Sequence, residues 1–167
     1  ETITETTRWT EGKHEIRGTL TIKAPLYISP CAELRVSSGS SINVLGVEGF
    51  LKMPGNPDAP TVIGTEDISW VGIKANLKPG SAGVSLTGIT LKNTTGHEVD
   101  TGGRAALYLR QVDDVFERFS TSLLHAVRID RSEESGLALQ NLRNRANFSW
   151  KNFEASGCAR YGATTDA

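Results

Sequence analysis

The sequence predicts an all-β solenoid, a right-handed parallel β-helix of roughly six to seven coils. Three observations predict it. An apolar-x-x-apolar corner recurs as Leu86-x-x-Ile89, Phe116-x-x-Phe119 and Trp150-x-x-Phe153, at offsets of 30 and 34 residues. A second apolar column runs in step with it: Ile73, then Leu107 with Leu109, then Leu137 with Leu139, placed 13, 9 and 13 residues ahead of each corner. The third observation is texture, since short apolar pairs with a polar residue between them alternate with Gly, Pro and Ser along most of the chain. Self-similarity of this length marks repeats that bury their apolar faces only by stacking on neighbours. The register that follows places Leu86, Phe116 and Trp150 in one column and Ile89, Phe119 and Phe153 in another.

In chain order, residues 1–11 alternate weakly around Ile3 and Trp9 and read as a leader or edge strand, with the parallel β-helix over 12–167. His14-Glu-Ile16, Leu20-Thr-Ile22, Leu26-Tyr-Ile28, Leu34-Arg-Val36, Ile42-Asn-Val44 and Leu51-Lys-Met53 are half-buried strands of a few residues each. Gly18, Pro25, Pro30, Gly39 and Gly46 punctuate them and exclude long helices. Here the columns read Ile22, Val44, Ile63 and Ile16, Leu34, Leu51. Residues 53–60 carry three prolines and form a loop, because proline cannot donate to a sheet ladder. Thr61-Val-Ile63 returns to strand, 66–70 is a short excursion, and 76–83 and 93–103 are corner insertions of the kind that often carry a solenoid's binding surface. One more strand is expected near Tyr161. The polar ending, with no helix to cover it, predicts a fragment of a longer coil or a chain that associates end to end.

Composition narrows the function. The 167 residues carry 18 basic and 19 acidic side chains, for a net charge of −1, which argues against a nucleic-acid binder relying on a general positive field. No apolar run reaches the roughly 18 residues of a membrane span. Cys31 and Cys158 match no zinc or redox spacing. They fall near opposite ends of the coil, too far apart for a disulfide, and read as free, small core residues.

Gly18-Thr-Leu-Thr-Ile22, Ala32-Glu-Leu34, Gly49-Phe-Leu-Lys-Met-Pro-Gly55 followed by Ala59-Pro-Thr-Val-Ile-Gly-Thr65, and Trp70-Val-Gly-Ile73 occur in that order. Through them residues 9–76 resemble the leading segment of bacterial extracellular right-handed parallel β-helix proteins, the pectate-lyase-like architecture. Pro30-Cys31-Ala32 departs from that pattern where a proline and glycine are usual. The resemblance implies a location outside the cell or at its surface, and a function among adhesins, carbohydrate-binding surface proteins, polysaccharide lyases and glycoside hydrolases. Fold alone does not choose between them.

The lyases this chain resembles use clustered carboxylates to hold calcium, and Asp113-Asp114 with Glu117 and Arg118, or Arg128-Ile-Asp130-Arg131, invite the comparison. Calcium needs six to eight converging oxygens, whereas adjacent aspartates on a strand face opposite ways. No cofactor or metal is therefore expected, calcium being the one candidate, and a polar corner with salt-bridged strand edges is the preferred reading. Of the motifs that hydrolases of this architecture share, only Asp113-Asp114 and a partial Arg128-Ile129-Asp130 are present, and Gly96-His97-Glu98 precedes them. No catalytic role is assigned.

Alternation names the binding candidates. With Leu107 and Leu109 inward, Tyr108 faces outward; with Val127 and Ile129 inward, Arg128 faces outward, and Asp130 and Arg131 follow it. An exposed ring and a guanidinium are groups on which a sugar or anionic glycan stacks and forms hydrogen bonds. The expected function is a non-catalytic extracellular surface or adhesion module contacting polysaccharide or cell-surface glycan. The alternatives are a lyase or hydrolase of the β-helix class, and a structural spacer or assembly segment.

Overall fold

The computed structural model describes residues 1–78, 80, 83–112, 121–140 and 147–165. Short apolar-polar alternations become strands, and turn residues between them bend the chain into a three-faced coil. The first coil is β1 (Thr2–Ile3), β2 (Thr7–Trp9) and β3 (Gly12–Ile16), and the second is β4 (Thr19–Ile22), β5 (Pro25–Ile28) and β6 (Ala32–Val36). The third is β7 (Ser41–Gly46), β8 (Phe50–Pro54) and β9 (Thr61–Ile63). From here strands lengthen: β10 (Gly72–Leu77) leads to β11 (Gly83–Thr94), which covers two faces, and a short β12 (His97–Glu98) follows. Then come β13 (Arg104–Gln111), β14 (Thr121–Ser132), β15 (Ser135–Gln140), β16 (Asn147–Lys151), β17 (Glu154–Cys158) and β18 (Ala163–Thr165).

Face A runs β1-β4-β7-β10-β13-β15-β18 and face B runs β2-β5-β8-β11-β14-β16. Face C holds β3 and β6, then β9 beside the second half of β11, and β17 beside the second half of β14. Every pairing between successive coils is parallel, and the fold is a right-handed parallel β-helix. Residues 2–9 are part of it, since β1 and β2 pair with β4 and β5 as the outermost strands of their faces.

Inward residues stack into columns. On face A, Leu20, Ile42, Ile73, Leu107 and Leu137 follow one another, beside Ile22, Val44, Ala75, Leu109 and Leu139; all are buried. The column expected through Ile73, Leu107 and Leu137 is therefore present. Elsewhere the register differs from the expectation. Leu86 stands beside Leu124 and then Trp150, and Ile89 beside Val127; Phe116 and Phe119 lie outside the described residues. Val44 is followed by Ala75 rather than Ile63, and Ile16 pairs with Val36 rather than Leu34. Cys31 is exposed and Cys158 half-buried, and both are free thiols. The expectation of a buried Cys31 fails because it sits in the turn between β5 and β6, outside the alternation of either strand.

The corner between faces B and C is a column of left-handed residues: Gly88 (φ 58°), Ala126 (φ 52°) and Asn152 (φ 54°). Gly88 is required there twice over, since a Cβ would also lie 2.5 Å from the Asn56 carbonyl carbon. That close approach lets the proline loop cross the corner and wall a cleft on face C.

Candidate ligand-contact surfaces

The sequence candidates separate onto two faces. Tyr108 is on face A, and its side chain does leave the coil core, but it is fully buried. Tyr108 is covered, contrary to the outward exposure expected of it, because the 93–103 insertion folds back as β12, antiparallel to β13, and lays a strap over the sheet. Thr95 and Gly96 donate to the Trp70 and Val71 carbonyls and anchor its start. Val99 then packs over Ala105, Tyr108 and Ala138, a small second core outside the coil. Under the strap the Tyr108 hydroxyl donates to the Gln140 side-chain oxygen, and Lys74 Nζ sits 4.9 Å from the ring centroid. Burial pushes the Tyr108 hydroxyl above its usual range. His97, on the strap itself and buried, has its pKa pushed down to about 4 by burial, with the Lys74 charge acting the same way and a backbone hydrogen bond to Gly72 opposing. Neither group is presented to solvent.

Arg128 and Asp130 lie on face C, two residues apart on β14 and pointing away from the core as expected. Arg131 occupies the next corner with φ 67°. Their charges are largely matched: Arg128 lies 3.7 Å from Glu154, and Lys92 lies 3.9 Å from Asp130 and 2.9 Å from Glu66. Lys92 and then Arg131 hold the Glu66 carboxyl below its usual range. Towards the N-terminal coils the same face carries Glu15 with Arg17 and Glu33 with Arg35. Face C is thus a ladder of mixed sign that satisfies itself, although a cleft of about 200 Å³ opens beside Arg128 between Pro57, Pro60, Thr90 and Asn152. The Asp113-Asp114 pair lies outside the described residues, and among those described no three His, Cys, Asp or Glu side chains converge as metal ligands.

A third surface was not singled out from sequence. On face B, Arg8, Tyr27 and Lys52 occupy equivalent positions on β2, β5 and β8, outward because Leu26 and Leu51 beside them are fully buried. The Arg8 guanidinium lies 4.6 Å from the Tyr27 ring centroid. Phe50 meets that ring edge-on, 6.0 Å between centroids and 84° between planes. Ring and guanidinium are therefore fixed before any ligand arrives, while the guanidinium edge keeps its N–H donors. Trp9, Ser29, Pro30 and Pro54 complete a groove of about 290 Å³. The signal was available in the sequence, because Arg8-Trp9, Leu26-Tyr27-Ile28 and Leu51-Lys52-Met53 each put one polar or aromatic residue outward. Joining them required the register across strands.

No protein-family model, curated protein or solved structure matches this chain. Among the described residues no helix is long and apolar enough to cross a membrane.

Proposed function

We propose that this protein is a non-catalytic, extracellular or cell-surface module that contacts polysaccharide through the Arg8, Tyr27 and Lys52 groove on face B. The observation that carries the reading is the clamped pair of Arg8 and Tyr27 with Lys52 alongside. An aromatic face with fixed, solvent-facing N–H donors suits a pyranose ring and its oxygens. The resemblance of residues 9–76 to pectate-lyase-like surface proteins supports the same class, and the matched charges of face C favour Arg128, Asp130 and Arg131 as secondary contacts.

The test is titration with a panel of acidic and neutral polysaccharides by calorimetry, with unsaturated and reducing products assayed in the same samples. Saturable binding without product is the expected result, and Tyr27→Ala should weaken it about tenfold. Turnover at protein concentrations far below substrate would establish the rival reading, a lyase or hydrolase of the β-helix class.

End-to-end self-association is a second reading with an observation of its own. At the last B and C strands, Trp150 is 48% exposed and lines, with Phe153, Ala155 and Ala163, an apolar recess of about 300 Å³. Sedimentation velocity at increasing concentration tests it, and a strictly monomeric species would count against it.

A further inference from the structure

Two apolar cores in this chain share no buried residue. The main core fills the coil, whereas Ala105, Tyr108 and Ala138 form a second one on the outer side of face A, closed by Val99 of the strap. The strap is an addition to the coil and not one of its turns: β12 sets two residues antiparallel to β13, in a fold whose successive coils all pair in parallel. Few contacts hold it. At its base Thr95 and Gly96 donate to the Trp70 and Val71 carbonyls. At its tip Asp100 lies 2.9 Å from Arg110, and the Asp100 amide lies 3.5 Å from the Tyr108 hydroxyl. The face A columns are paired strand to strand without it, so lifting the strap uncovers the second core alone.

One strap side chain makes that closure sensitive to acid. His97 is 9% exposed, and its Nε2 has no partner among the described residues. A proton added there finds no acceptor, and Lys74 on β10 repels the resulting cation. The remaining charges around the strap face one another at its rim. Glu98 is in register with Arg104, Arg104 lies 3.8 Å from Glu133 and donates its backbone N–H to Glu134, Glu134 lies 3.6 Å from Arg160, and Asp100 holds Arg110. Of these charges and Lys74, it is Lys74 that acts on the imidazole. Released into water, the imidazolium is hydrated and loses both penalties.

We propose that the 93–103 strap is an acid-released cover: protonation of His97 lifts it from face A and bares Tyr108 while the coil stays folded. The bared surface is polar and aromatic together. The Tyr108 ring has Lys74 Nζ over it and Gln140 at its hydroxyl. Asn43 beside Lys74 and Asn76 beside Arg110 carry side-chain oxygens without a partner among the described residues. The closed strap withholds that surface at neutral pH and yields it in acid.

Amide hydrogen exchange, corrected for the intrinsic rate at each pH, tests this on the wild type, His97→Gln and His97→Leu. Glutamine keeps a donor for the Gly72 backbone and leucine keeps the apolar volume, and neither takes up a proton. In the wild type the amides of residues 96–100 should be at least about tenfold less protected than those of Leu107 and Leu109 at both pH 7 and pH 4.5. Their exchange should be insensitive to low urea, because a local opening exposes little surface. Protection of the strap should fall about 50-fold between those pH values, as set by a group that titrates at about 4 when covered and near 6.5 when released. In both variants the fall should shrink to under about threefold. Asp100→Asn, which removes the exposed ion pair at the tip, should loosen the strap by under about fivefold at either pH and leave the fall in place. Strap amides as protected as those of the coil would overturn the separate opening, since the strap would then leave only with the whole fold. A fall that survives in both His97 variants, or that disappears in Asp100→Asn, would overturn His97 as the trigger.

Discussion

The Trp9 indole lies flat against the His14 imidazole, with ring centroids 4.5 Å apart and planes 9° from parallel. Both are inward positions of the first coil, Trp9 beside Ile28 and His14 beside Leu34, and His14 Nε2 is 3.1 Å from the Glu11 carbonyl oxygen. The stack therefore closes over the apolar residues of the second coil, and Trp9 packs against the main core. Trp9→Ala should cost about 2 to 3 kcal/mol, less than a fully buried tryptophan because the ring is only half-buried. Urea denaturation measures this, and a cost under about 0.5 kcal/mol would mean that the stack contributes no more than a surface contact.

His97 sets a pH dependence. Its pKa is about 4 in the folded protein and about 6.5 in an unfolded chain, so between those values the unfolded state binds more protons. Stability is full above about pH 6.5 and falls as pH drops towards 4, by up to about 3 kcal/mol. The buried Nε2 has no partner among the described residues to receive the added charge. His97→Leu should flatten the difference between urea midpoints at pH 7 and pH 4.5; a slope equal to wild type would show that other groups set it.

The strand columns offer a direct comparison of inward and outward residues. Leu124, fully buried between Leu86 and Trp150, should lose about 2 to 5 kcal/mol on replacement by Ala, through lost transfer energy and a cavity the adjacent coils cannot close. Arg128→Ala, four residues along the same strand and exposed, should cost under about 0.5 kcal/mol because its ion pair with Glu154 is itself exposed. Chemical denaturation that ranked these two in the opposite order would contradict the register.

That register also shows how far the sequence could be read. The face A column through Ile73, Leu107 and Leu137 was legible because β10, β13 and β15 have the same apolar-x-apolar pattern. On face B, Phe116-x-x-Phe119 and Leu124-x-x-Val127 have the same spacing eight residues apart. Nothing in the pattern fixes the length of the insertion before β14, and the second pair is the one that aligns with Leu86 and Ile89. In the early coils alternation accommodates Leu34 as well as Val36 beside Ile16, because a slip of two residues keeps every side chain on its correct face; the pairing is with Val36. Tyr108 failed differently. Alternation gave its direction correctly, but a strap formed by a separate insertion decided its exposure. The groove on face B went unnoticed because Arg8, Tyr27 and Lys52 are separated by 19 and 25 residues and meet only through pairing of three strands.

The corner between faces B and C supplies the last prediction. Ala126 sits there with φ 52° between Gly88 and Asn152, which share the conformation. A left-handed backbone costs an alanine roughly 1 to 2 kcal/mol, whereas glycine adopts it freely and asparagine more readily than most residues. Glycine also gains entropy in the unfolded chain, which offsets about 0.4 to 1 kcal/mol of the relief. Ala126→Gly should therefore stabilise the fold by about 0.5 to 1 kcal/mol, and Asn152→Ala, which imposes the strain at the neighbouring corner, should destabilise it by a similar amount. Opposite shifts in urea midpoint are the expected outcome. If Ala126→Gly were neutral or destabilising, the corner would not be held in the left-handed region in solution, and the direct turn from face B onto face C would need a different backbone.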